Sequence, residues 1–74
     1  MSGDAAAPGA SEIREAERAL ASLRSKLEKV VPKLAPGTAQ RTLAERRVRA
    51  LALSLDLVRM ALAEADAAEG KERA

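Results

Sequence analysis

The chain has 74 residues, 13 of them basic and 11 acidic, for a net charge of +2. It contains no Cys, His, Phe, Tyr or Trp, so disulfide staples, thiolate or imidazole metal sites, the commonest general base and aromatic stacking on a base or sugar are all excluded. What remains is a mixture led by Ala, Leu, Glu and Arg, which favours helix and must pack with aliphatic side chains alone.

Residues 1–10 are small, polar and broken by Gly3, Pro8 and Gly9, the composition of a disordered tail. Ser11 is a candidate N-cap, with Glu12 and Glu15 placed where acids favour a helix N-terminus. A first helix is expected over 12–31. Its apolar residues Ile13, Ala16, Leu20, Leu23, Leu27 and Val30 alternate in steps of three and four and define one buried stripe. Leu20, Leu23, Leu27 and Val30 are the expected core. Arg14–Glu17 and Arg24–Glu28 are spaced to pair along the helix.

Residues 32–38, PKLAPGT, form the connection. Pro32 ends the first helix, and Pro36–Gly37 sets a tight turn. The second helix has two starts available, Thr38 or the capping box from Thr42 to Glu45; the shorter loop favours Thr38. The helix should run over 39–68, with Gly70 as its stop and 70–74 as a fraying tail. Residues 51–58, LALSLDLV, alternate like a strand. Their helical flanks and the lack of a second strand to pair with place them in the helix.

The second helix carries two apolar seams. Val48, Leu51, Leu55, Val58 and Leu62 form one, and Ala50, Leu53, Leu57 and Met60 form the other. At about 100° per residue they lie on nearly opposite sides. A wedge around Arg49, Asp56, Arg59 and Ala63 is suited to water. One neighbouring helix covers only one seam, and the sequence leaves open which. The expected fold is therefore all-α, an antiparallel two-helix hairpin over 11–69, with two hairpins pairing into a dimeric four-helix bundle. Helical self-association is also the usual remedy for a core this small.

The second seam ends in Arg46 at one side and Glu64 at the other. An antiparallel homodimer would set each Arg46 against the partner's Glu64; a parallel one would oppose like charges. The expected interface is Arg46, Ala50, Leu53, Leu57, Met60 and Glu64.

Charge is unevenly spread. Between Arg24 and Arg49, eight basic residues face two acidic ones, a net of +6; the rest of the chain has a net of −4. The hairpin tip is thus basic. One reading makes Lys33, Arg41, Arg46, Arg47 and Arg49 contacts for an anion or nucleic acid; the other makes them a solvated face. Thr38, Gln40, Arg41 and Thr42 gather at a helix start, where capping suffices to explain them. Glu64, Asp66, Glu69 and Glu72 lack the loop of a calcium site. No catalytic, cofactor-binding or metal-ligating residues are expected.

No apolar run reaches the ~20 residues of a membrane span, and the N-terminus does not resemble a secretory signal. The expectation is a small cytoplasmic bacterial protein, not an enzyme, that acts as a homodimerising regulator, adaptor or structural component. It would bind itself or a helical protein. The alternative is an accessory protein that holds nucleic acid or phosphate at the basic tip.

Overall fold

The computed structural model describes residues 8–73, with side chains as far as residue 70. Two helices, α1 (Ala10–Val30) and α2 (Ala39–Arg73), pack against each other, and a short 3-10 turn (Val31–Lys33) follows α1. The described residues contain no strand; residues 51–58 are helical. The tail expected over 1–10 lies outside the described residues as far as residue 7, as does Ala74.

The first helix starts earlier than Ser11. Gly9 is its N-cap, extended at φ −77° and ψ 168°, and its carbonyl accepts the Ile13 N–H at 3.1 Å. Glycine is nearly as good an N-cap as serine, and the earlier start buries Ala10. At the other end, α2 passes through Gly70 to Arg73. Glycine stops a helix when it turns left-handed; among the described residues only Gly37 has positive φ. Flanked by strong helix formers, Gly70 stays helical.

The connection is built from three local devices. Pro32 falls in the first turn of the 3-10 segment, where its missing N–H costs nothing. The Leu34 N–H closes that segment on the Val31 carbonyl at 3.0 Å. Ala35-Pro36-Gly37-Thr38 then makes a turn with Gly37 at φ +80° and the Thr38 N–H on the Ala35 carbonyl at 3.3 Å. Proline then glycine at the two central positions is the pattern of a type II turn. Thr38 caps α2: its Oγ accepts the Arg41 N–H at 3.2 Å and donates to the Ala35 carbonyl at 2.7 Å.

The first seam of α2 faces α1. Leu55 is 1% exposed, Ala44 is buried, and Val48, Leu51, Val58 and Leu62 are half-buried. On α1 the facing row is Ala10, Ile13, Glu17, Leu20, Arg24 and Leu27, continued by Val31 and Leu34, all buried or half-buried. This corrects the expected core. Leu20 and Leu27 belong to it, but Leu23 is 54% and Val30 43% exposed. The apolar stripe of α1 is wide enough for two rotations, and the one adopted brings two ion pairs across the helix–helix interface. The Arg14 Nη2 donates to Asp66 Oδ1 and the Arg59 Nε to Glu17 Oε2, each at 2.8 Å. Arg14 and Glu17 thus reach across to α2 rather than pairing along α1, and Arg59 stays exposed, as expected, while pairing with Glu17.

The result is one layer of two helices, 54 × 29 × 14 Å. Among the described residues the buried apolar side chains are few: Ala10, Ile13, Ala44 and Leu55.

Candidate interaction surface

Helical phase divides the hairpin into two unlike flanks. One carries both inter-helix ion pairs. It also carries Arg24–Glu28 and Arg41–Glu45, which pair along their helices at 3.3 Å. The opposite flank is apolar. Towards the tip it opens as a groove between Leu23, Lys26 and Val30 of α1 and Arg47, Ala50 and Leu51 of α2, with Leu27 in its floor. Towards the open end a second groove lies between Glu12, Ile13 and Ala16 of α1 and Val58 and Ala61 of α2, next to Pro8. A smaller indentation on the ion-paired flank is lined by Val31, Pro32 and Val48, with Glu28 and Glu45 at its edge.

The apolar flank continues around the back of α2. There Leu53, Leu57 and Met60 are 64%, 60% and 65% exposed, the highest values among the large apolar side chains of the described residues. Ala50, also exposed, bridges the groove and the back. Arg46 and Glu64 stand exposed at the two ends of this seam. The structure therefore places Arg46, Ala50, Leu53, Leu57, Met60 and Glu64 on one accessible surface. Sequence reasoning missed what α1 adds to it, namely Leu23 and Val30, together with Leu43 of α2, which is also exposed. The signal was present in the charges: Arg14 and Glu17 of α1 have Asp66 and Arg59 of α2 as opposite charges across an antiparallel hairpin.

The basic residues of the tip are not equivalent. Lys33, Arg46, Arg47 and Arg49 are exposed, and none enters the four ion pairs of the described residues. Arg41 is half-buried and committed to the fold: its guanidinium donates to Glu45 and to the Leu34 carbonyl, both at 3.3 Å. It ties the loop to the first turn of α2.

Among the described residues, acidic side chains form no cluster suited to a metal ion, no buried side-chain polar atom lacks a partner, and no helix is long and apolar enough to cross a membrane. What the arrangement offers is apolar surface with charged ends, which can bury another helical surface and set its direction. Compared with models of protein families, with curated proteins and with solved structures, the chain matches none.

Proposed function

We propose that this chain is a small protein–protein interaction module that pairs with a second copy of itself, antiparallel, into a dimeric four-helix bundle. In that role it serves as a regulator, adaptor or structural component and performs no catalysis. The observation that carries the reading is the exposure of Leu53, Leu57 and Met60 on a hairpin one helix thick. Stable domains pack at least two layers around a core, and a single layer leaves one side of its apolar residues in water. Burying these three would contribute about 1.5–3 kcal/mol each before association costs. The Arg46 and Glu64 ends would set the direction of pairing, since exposed ion pairs add little affinity.

Sedimentation of the full chain from low to high micromolar concentration tests this. A dimer is expected, lost on Leu53→Glu with Leu57→Glu. A wild-type chain that stays monomeric at high micromolar concentration would overturn it.

The exposed, unpaired Lys33, Arg46, Arg47 and Arg49 support a second reading, a nucleic-acid or phosphate contact at the tip. Such binding would weaken steeply with added salt. Changing Arg46, Arg47 and Arg49 together to Gln should abolish it, and no binding by the wild-type chain in low salt removes this reading.

A further inference from the structure

We infer that the second copy docks on the apolar flank that both helices share, so that α1 lies against the partner's α1 and Leu23 and Val30 are buried in the interface. The inference rests on the dimeric reading above and extends it from one helix to two.

Three observations lead there. The first is continuity. The two grooves of this flank follow one another along the hairpin, and the one at the tip joins the exposed back of α2 at Ala50, so covering α2 alone would leave Leu23 and Val30 in water. The ion-paired flank offers no equivalent, because its charges are already satisfied between the helices.

The second is exposure. Leu23 and Val30 of α1 are 54% and 43% exposed, and Leu53, Leu57 and Met60 of α2 are 64%, 60% and 65% exposed, so both helices hold apolar surface that a second copy could bury.

The third is charge, and it names the occupant. Lys26 lines the groove at the tip end and Glu12 lines it at the open end. Neither enters the ion pairs within the described residues. A flank that is basic at one end, apolar in the middle and acidic at the other complements itself under a two-fold axis perpendicular to the helices. Ala19 is midway between Glu12 and Lys26, and Leu55 is midway between Arg46 and Glu64. Because Glu17 sits opposite Arg59, these midpoints fall within about one helical turn of the same level. One axis therefore serves both sets: Lys26 meets the partner's Glu12 while Arg46 meets the partner's Glu64. A polyanion would meet repulsion at the acidic end and apolar surface in the middle.

The experiment is sedimentation equilibrium of the full chain, with helix content followed by circular dichroism. Leu23→Gln with Val30→Gln should raise the dimer dissociation constant by about tenfold or more. Helix content should hold at concentrations where the wild type is itself dissociated, since both side chains are already about half exposed. Lys26→Glu should weaken the dimer, and Glu12→Lys in the same chain should restore it. If the wild type dimerises and these variants dimerise as tightly, the interface does not include α1; the inference fails and the dimeric reading stands. If the wild type is monomeric throughout, both fail. Should the glutamine pair cost helix content, the charge exchange decides: recovery supports docking across α1, and no response to Lys26→Glu overturns it.

Discussion

Gly37 and Gly70 show how position decides what one residue type does. Gly37 holds φ +80° at the centre of the turn, whereas Gly70 is helical, and a Cβ would meet nothing within 4 Å at either place. Only the backbone conformation differs. Gly37→Ala is therefore expected to destabilise the chain by about 1 kcal/mol. Gly70→Ala should be neutral or stabilise by up to about 1 kcal/mol, less if the helix end frays. Denaturant titration of both variants checks the opposite signs; equal effects would mean the turn does not require its left-handed residue. Thr38→Ala removes both the cap and the bond to the Ala35 carbonyl, and should cost about 1 kcal/mol. The turn was legible in the sequence because Pro-Gly-Thr combines three local rules that agree. The start of α1 was not, since Gly9 and Ser11 are nearly equivalent caps and burial of Ala10 separates them.

At the scale of elements, the two helices differ in how much their patterns determine. The first seam of α2 contains Leu55, and its opposite seam contains Leu53 and Leu57; periodicity identified both, and the structure sets the first against α1. The pattern of α1 is looser. Its apolar residues span an arc wider than one neighbour covers, so spacing alone favoured the row through Leu23 and Val30. The packed row instead includes Glu17 and Arg24, charged residues whose stems cover apolar surface while their ends reach partners. A hydrophobicity count penalises those positions and thus misses this rotation. The cost of truncation should follow the observed row. Leu55→Ala should destabilise by about 2–5 kcal/mol. Leu23→Ala, measured at concentrations low enough to dissociate any dimer, should cost distinctly less. Denaturation of both proteins under those conditions is the check, and a larger loss at Leu23 would mean that the hairpin packs through the row expected from spacing.

The shape of the whole chain leads to a claim about its stability. The radius of gyration is 16.6 Å, whereas a compact chain of this length would have about 11 Å. The difference reflects an elongated single layer with a long α2. Folding in isolation must order both helices while only one seam of each is covered, and the inter-helix ion pairs are about half exposed, so they add little. If a second copy supplies the missing layer, association is linked to folding and adds to the stability of the hairpin, which must then depend on concentration. A tenfold rise in protein then contributes about 1.4 kcal/mol to the two-chain equilibrium. For a two-chain unit of this size the thermal midpoint should rise by a few degrees. Circular dichroism melts over two decades of concentration measure this directly. Leu53→Glu with Leu57→Glu should remove the dependence and lower the midpoint together, because both effects come from the same buried surface. Added salt should lower the wild-type midpoint only slightly, since apolar burial supplies the affinity and charge supplies the direction. A midpoint that stays fixed as concentration changes would show that the hairpin is stable as a single layer, and its exposed apolar flank would then have to serve a partner other than itself.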